Sequence, residues 1–275
     1  MRPETVLITG CSSGIGRATA EAFLDEGWQV YATARNPADV ETLGEHANCE
    51  IATLDVTDDD DVERVVSRIE EEAGALDCLV NNAGYAQLGP MEDISIEDVH
   101  AQFDVNVYGP HRLARAALPL MREEGDGTIV NLSSLAGRLT FPGGGAYSAT
   151  KFALESMSDA MRVEVEPQGI DVVLVEPGPV RTNFDNRALD EVEDLEHNEA
   201  YDWLYKLLGD REVMGGDTPG AVDPDEVAAE ILNAASATKP PARVPVGPWA
   251  TIGVYARYLP DWAYDGAVRL ARKFA

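Results

Sequence analysis

The chain predicts an open α/β fold, a doubly wound parallel sheet with helices on both faces. Three observations point there. Apolar runs of five or six residues recur without polar alternation, beginning with Thr5-Val6-Leu7-Ile8-Thr9, as strands buried on both faces of a parallel sheet require. Longer stretches with helical periodicity separate these runs, which is the order of βαβ units. Each run also ends in a loop bearing glycine or polar residues, where an open parallel sheet forms its binding crevice.

Composition sets the limits. With 275 residues, 45% of them hydrophobic, the chain fills one core, and residues 1–275 read as a single unit. No apolar run approaches the roughly 18 residues that span a bilayer. Met1-Arg2-Pro3-Glu4 runs straight into the first strand, so no signal peptide and a cytoplasmic location are expected. Cys11, Cys49 and Cys78 lack paired-ligand spacing, which favours structural thiols over disulfides or a zinc site; no metal is expected. The net charge is −28, from 49 acids and 21 bases, and only four of the bases are lysine. The acids occur in every segment, so they describe a solvated acidic surface, a device of proteins that work in high salt. Without a basic patch, nucleic acid and anionic membranes are poor partners.

Taken in order, the first strand runs into Gly10-Cys11-Ser12-Ser13-Gly14-Ile15-Gly16 and a helix over Arg17 to Glu26. Strand, glycine-rich turn and helix is the setting in which backbone approaches a diphosphate at a helix N-terminus. The spacing G-x-x-x-G-x-G differs from the usual G-x-G-x-x-G, and without a Gly-Lys-Ser/Thr ending it excludes a nucleotide triphosphatase loop. A second strand, Trp28 to Thr33, ends at Ala34-Arg35. An acid at this point would receive the ribose hydroxyls of NAD; Ala34 removes it, and Arg35 with Ser13 offers partners for a 2′-phosphate. Asn36-Pro37 is expected to start a helix.

A third strand, Cys49 to Leu54, ends at Asp55-Val56; Asp55 is placed either to meet an adenine amine or to cap a turn. Asp58 to Asp61 reads as the N-terminal cap of a helix through Ala73. A fourth strand, Leu76 to Val80, leads into Asn81-Asn82-Ala83-Gly84. Ser95 with Asp98 resembles a capping box for a long helix through about Met121, made irregular by Pro110 and Pro119. It contains Asn106, an amide among apolar neighbours that needs a partner.

The fifth strand, Gly127 to Leu132, delivers Ser133 and Ser134, and a glycine-rich loop precedes a helix from about Tyr147 to Glu166. Tyr147 and Lys151 are four apart and share a helix face. A phenol titrates near about 10, and a neighbouring ammonium favours phenolate. Tyr147, Lys151 and Ser134 can therefore pass a proton to or from an alcohol or carbonyl oxygen, although the spacing by itself more often describes a buried tyrosine beside a solvated lysine. Ile170 to Val175 is a sixth strand, followed by Pro177-Gly178-Pro179-Val180-Arg181-Thr182. From 183 to 217, acids alternate with Phe184, Leu189, Tyr201, Trp203, Leu204, Leu207 and Leu208, which reads as a helical lid with its apolar side inward and Met214-Gly215-Gly216 as its hinge. A helix from Asp223 to about Ala235, a last strand Arg243-Val244-Pro245-Val246, and a C-terminal extension over 248–275 ending in a helix through Phe274 complete the chain.

Together, Thr9-Gly10-x-x-x-Gly14-x-Gly16, Asn81-Asn82-Ala83-Gly84, Asn106, Ser134, Tyr147-x-x-x-Lys151 and Pro177-Gly178 resemble a classical short-chain dehydrogenase/reductase over residues 4–182. Val30 to Arg35, Arg243 to Pro248 and Tyr258-Leu259-Pro260-Asp261 are similar to the 17β-hydroxysteroid and retinol dehydrogenase-like branch. The resemblance implies a Rossmann-type sheet of about seven strands in the order 3-2-1-4-5-6-7. It also implies Tyr147 as general acid/base, Lys151 lowering its pKa and binding the nicotinamide ribose, Ser134 holding the substrate oxygen, and Asn106 anchoring a relay water. Gly10, Ser12, Ser13, Gly14, Ile15 and Gly16 would wrap the diphosphate. Asp55 and Val56 would lie at adenine, Asn82, Ala83 and Gly84 at the adenosine ribose, and Val180 with Thr182, beyond Pro177-Gly178, at the carboxamide. Hydride would pass between nicotinamide C4 and the carbonyl carbon of a small-molecule alcohol or carbonyl substrate.

Arg35 beside Ala34 favours NADP, with NAD possible, and an apolar lid favours a hydrophobic substrate. The alternatives are an NAD-linked dehydrogenase of a small polar alcohol and a non-catalytic NADP-binding regulator. The glycine spacing and the Asn-Asn-Ala-Gly segment argue against an epimerase or dehydratase of the extended family. Family resemblance implies a homodimer or homotetramer built through the long helices and the C-terminal segment.

The acidic surface carries its own test. The thermal unfolding midpoint should rise between about 0.05 M and about 2 M KCl as the charges are screened. A midpoint that falls with KCl would contradict the high-salt reading.

Overall fold

The computed structural model describes residues 2–209 and 218–271. Its strands are β1 (Thr5–Ile8), β2 (Gln29–Ala34), β3 (Cys49–Thr53), β4 (Cys78–Asn81), β5 (Gly127–Leu132), β6 (Ile170–Pro177) and β7 (Arg243–Val246). They form one sheet in the order β3-β2-β1-β4-β5-β6-β7, every pair parallel. This is the expected order.

The lack of alternation in β1 has a direct cause. Successive side chains point to opposite faces, and both faces are covered. Val6 and Ile8 enter one core with Phe23, Val30, Val175, Val227 and Ile231, beneath α1 (Gly14–Asp25) and α8 (Pro224–Ser236). Leu7 enters the other, with Leu79, Ile129, Val65, Ile69, Leu113 and Met121. That face is covered by α2 (Asp59–Ala73), α4 (Gly109–Glu124) and α5 (Gly145–Val165). The remaining helices are α3 (Ile96–Phe103), α6 (Phe184–Glu193), α7 (Asp202–Leu208), α9 (Pro248–Gly253) and α10 (Asp261–Ala271). Among the described residues no helix is long and apolar enough to cross a membrane.

Caps define several boundaries. Asp58 accepts from the N–H groups of Asp60 and Asp61 at 2.9 and 3.2 Å, so the acid run starts α2 as expected. Ser95 accepts from Asp98 N at 3.0 Å, and Asp223 with Glu226 forms a full capping box on α8.

Three boundaries differ from expectation. α1 begins at Gly14, ahead of Arg17. Asn36-Pro37 starts only a 3₁₀ turn over Pro37–Val40, with the Asn36 side chain accepting from Ala38 N. The expected continuous helix from Ser95 to Met121 is split by a π-type turn over Asp104–Tyr108. Pro110 lacks the N–H that would ordinarily reach Asn106 O, and the ladder widens there. Pro119, by contrast, lies inside α4 without ending it. The hinge expected at Met214-Gly215-Gly216 and the helix end at Phe274 lie outside the described residues.

Candidate active site

The sheet order reverses between β1 and β4, and the loops beyond these two strands are stitched together. Thr9 Oγ1 accepts the N–H groups of Asn82 and Ala83, each at 3.0 Å. Asn82 Nδ2 returns two bonds, to Thr9 O at 2.8 Å and Gly10 O at 3.1 Å. Gly16 sits so close to this knot that a Cβ there would overlap both Asn82 Nδ2 and Gly10 O. Gly10 has a φ of 74°, and its Cβ would lie 3.0 Å from Ala83 Cα. The glycine spacing is thus required by close backbone approach and a left-handed turn. Ser13 precedes α1 in an extended conformation without a side-chain cap bond. The helix N-terminus therefore keeps N–H groups that an anion can satisfy.

The other expected cofactor residues take varied positions. Ala34 is buried and Arg35 is exposed at the end of β2. Asp55 Oδ1 accepts from Thr57 N at 2.9 Å and Thr57 Oγ1 at 2.7 Å, so this oxygen caps a turn. Val56 is buried against Gly109 of α4, whose added Cβ would meet Val56 Cγ2 at 2.8 Å. Ile15 packs into the core beneath α1. Gly84 lies against Asn106 Oδ1, which a Cβ would approach to 3.0 Å. Gly178 N donates to Val246 O at 3.0 Å, extending the β6–β7 pairing beyond Pro177, and Val180 bridges to Val222. Thr182 meets the glycine loop, its Cγ2 3.2 Å from where a Gly14 Cβ would stand.

A cleft of about 550 Å³ runs along this loop, lined by Ser12, Ser13, Asp39, Asn183 and Arg187. Sequence reading singled out neither Arg187 nor Asp39. The available signal was a lone arginine in the acid-rich stretch 183–205.

On the other side of the crevice, Ser134 is extended and caps the 3₁₀ turn Leu135–Gly137, its Oγ accepting from Ala136 N at 3.1 Å. That bond occupies a lone pair and leaves the O–H to donate outward. Ser133 is buried with its Oγ unpartnered, 2.7 Å from where a Gly137 Cβ would stand. Geometry thus separates the two serines. Tyr147 lies in the first turn of α5, its ring 5.8 Å from that of Phe184. Lys151 Nζ is 5.7 Å from the centroid of the Tyr147 ring and donates to Leu132 O at 2.8 Å. Burial pushes the Lys151 ammonium down to about 8, with Glu155 opposing.

Buried Asn106 has the partners that an amide among apolar neighbours needs. Its Nδ2 donates to Tyr85 O at 2.9 Å and Thr150 Oγ1 at 3.1 Å, and its Oδ1 accepts from Tyr85 N at 3.1 Å. Thr150 Oγ1 in turn donates to Tyr147 O at 2.7 Å. The amide therefore fastens the loop after β4 to the turn carrying Tyr147. A hydroxyl donor, a phenol and a buried ammonium in one crevice have the chemistry of proton transfer at an oxygen. Among the described residues no cluster of three His, Cys, Asp or Glu side chains is placed to hold a metal.

Comparison with known proteins agrees with this geometry. The short chain dehydrogenase family model matches residues 4–193. A 3-ketodihydrosphingosine reductase from Bacteroides thetaiotaomicron is 35% identical over 274 residues, covering 98% of each chain. An NADPH-dependent 3-dehydrocapnine reductase from Ornithobacterium rhinotracheale is 34% identical over 271 residues, covering 94% of each. The crystal structure of a short-chain dehydrogenase from Streptomyces avermitilis superposes with a TM-score of 0.81 at 37% identity, covering 98% of this chain and 95% of that one.

The glycine cradle is directly testable. Gly16→Ala forces Gly10 or Asn82 to move, at a cost of about 1–3 kcal/mol by urea denaturation. An unchanged denaturation midpoint would show that the cradle can yield.

Proposed function

The chain belongs to the short-chain dehydrogenase family, and on that premise we propose an NADP(H)-linked oxidoreductase that interconverts an alcohol and its carbonyl on a hydrophobic substrate. The observation that carries this reading is the placement of Lys151, buried against Leu132 O one helical turn from Tyr147. The cofactor's fit rests on the cradle at Gly10 and Gly16 that a Cβ would fill, on the uncapped N-terminus of α1, and on Arg35 standing exposed where Ala34 replaces an acid. NADP, when bound, supplies or accepts the hydride at nicotinamide C4.

The chain's own residues handle the oxygen and its proton. Ser134, with its lone pair engaged by Ala136 N, donates its O–H to the substrate oxygen. Tyr147 gives its proton to that oxygen in reduction and removes it in oxidation. Lys151, protonated below about 8, favours the phenolate and holds the nicotinamide ribose. Asn106, fixed by Tyr85 and Thr150, anchors the water that relays the proton. Ser12, Ser13, Gly14 and Ile15 surround the diphosphate, while Asn82, Ala83 and Gly84 face the adenosine ribose. Asp55 and Val56 border the adenine, with Val56 offering backbone because its side chain is turned into the core. Pro177, Gly178, Val180 and Thr182 shape the carboxamide loop.

Residues 183–217 act as a lid and 248–275 as an extension within one domain spanning 1–275. Phe184, Leu204 and Leu208 pack with Phe141 and Tyr147 in an apolar cluster, a wall suited to an alkyl or ring system. The extension lies over the loop after Ser134: Tyr264 donates its O–H to Thr140 O, and Gly253 packs on Leu135. A long-chain ketone of the 3-ketodihydrosphingosine kind suits this wall better than a small polar alcohol. We assign the protein to the 17β-hydroxysteroid and retinol dehydrogenase-like branch on its Val30–Arg35 and Tyr258–Asp261 segments. Assembly as a homodimer or homotetramer would cover exposed Phe152, Val163, Trp249 and Trp262, and the acidic surface suits a cytoplasm of high salt.

Arg35→Ala tests the cofactor assignment. Losing a charge-assisted contact worth about 1.5–3 kcal/mol should raise KM for NADP⁺ about tenfold or more and leave KM for NAD⁺ nearly unchanged. Equal changes would refute it. Long-chain ketones should be reduced with higher kcat/KM than small polar ketones, and the reverse order would overturn the substrate class.

A further inference from the structure

One turn beyond Lys151 on α5 lies Glu155, 5% exposed, and facing it near the end of β6 lies Glu176, 1% exposed. Two buried carboxylates are costly unless paired. Both meet the same two arginines. Arg138 Nη1 is 3.5 Å from Glu155 Oε2 and 3.5 Å from Glu176 Oε1. Arg243 reaches Glu155 Oε2 at 3.0 Å and Glu176 Oε1 at 3.2 Å. Arg243 also pairs with Asp159 at 2.6 Å, which pairs with Arg162 at 2.8 Å. Glu155 Oε2 and Glu176 Oε1 therefore converge on the same two guanidinium groups, and a proton on one carboxyl would relieve the repulsion between the two. Glu155 Oε1 is buried without a hydrogen bond, and buried Glu176 Oε1 has only the two guanidinium contacts, neither aligned as a hydrogen bond.

The positions of these residues are informative. Arg138 is four residues after Ser134, Glu155 is four after Lys151, and Glu176 immediately precedes Pro177-Gly178. Arg243 ties the group to β7. Three separate stretches of the site thus converge on one buried charge cluster that touches neither the crevice hydroxyl of Ser134 nor the cofactor loop at Gly10–Gly16.

We propose that Glu155 and Glu176, clamped by Arg138 and Arg243, share one proton and act as a strut that positions Lys151, Ser134 and the Pro177-Gly178 loop. These are positioning residues, and the role given to Lys151 rests on the function proposed above. Burial first, then the charge of Glu155, pushes Glu176 up to about 7, against the pull of Arg138 and Arg243. The sign follows from that rise. The stability contributed by the protonated pair is fully present below about 4.5 and is lost as pH rises through about 7. The charged groups facing the pair are Lys151, Asp159 and Arg162 from α5, Arg138 from the loop after β5, and Arg243 from β7.

Glu176→Gln keeps the size and a hydrogen-bond donor while removing the titration. Between about pH 5 and about pH 8, the unfolding midpoint of the cofactor-free wild type should fall relative to that of Glu176→Gln. The infrared band of a protonated carboxyl should be present in the wild type at about pH 6, vanish by about pH 8.5, and be missing from the variant. The limb of the kcat–pH profile near neutrality should flatten in Glu176→Gln, and Glu176→Leu should not restore wild-type kcat. Identical pH dependence of unfolding in wild type and Glu176→Gln would overturn the proposal. Should the variant not fold, absence of the wild-type infrared band at about pH 6 overturns it equally. Unfolding and infrared need no turnover, so a lack of reductase activity would sink the proposed function without deciding the strut.

Discussion

Lys151 holds its ammonium inside the protein against the carbonyl of Leu132, and the arrangement of the crevice follows from that contact. A buried cation costs several kcal/mol unless it is hydrogen-bonded and balanced. Leu132 O is the last carbonyl of β5, so the bond fixes α5 across the carboxyl end of the sheet. Tyr147 is then carried one turn back along the same face, and Ser134 lies two residues beyond Leu132. The same helix places Thr150 on Asn106, so the loop after β4 is tied in as well. Moving Lys151 would disturb each of these relations at once.

The negative surface and the interior handle charge differently. Outside, acids outnumber bases by more than two to one and are solvated. Inside, the buried carboxyls Glu155 and Glu176 are matched by arginines, whose planar forks suit shared pairing better than a lysine would. Among the described residues Lys151 is the one buried lysine, which fits a role in which its charge must respond to its surroundings. Arg35 and Arg187, exposed beside the glycine loop, place positive charge where a phosphate-bearing ligand would lie.

Much of the fold was legible because it depends on local pattern. Val6, Leu7 and Ile8 announce a strand covered on both faces, and Asp58 and Asp223 announce helix starts. The seven-strand order came from the family resemblance, since spacing alone does not say which strands are neighbours. Candidate residues around Lys151 were legible from helical spacing. What the sequence could not display were relations made only in three dimensions. Asp55 offered two readings, and only coordinates show one oxygen capping Thr57. Val56 follows a polar residue at a strand end, yet α4 covers its side chain. The π-type turn depends on Pro110 failing to serve Asn106, while Asn106 is held from a distant loop by Tyr85. Glu155 and Glu176 are 21 residues apart and become a pair only when β6 lies beside β5 under α5.

We propose that Tyr147 moves the proton while the rest of the crevice binds and orients. That role is tested most directly by Tyr147→Phe, with kcat for ketone reduction and NADPH affinity measured on the same sample. In Tyr147→Phe, kcat should fall by about a hundredfold or more while the fold and NADPH binding persist, because the phenol O–H alone is removed. A variant that turns over at a rate near wild type would contradict it.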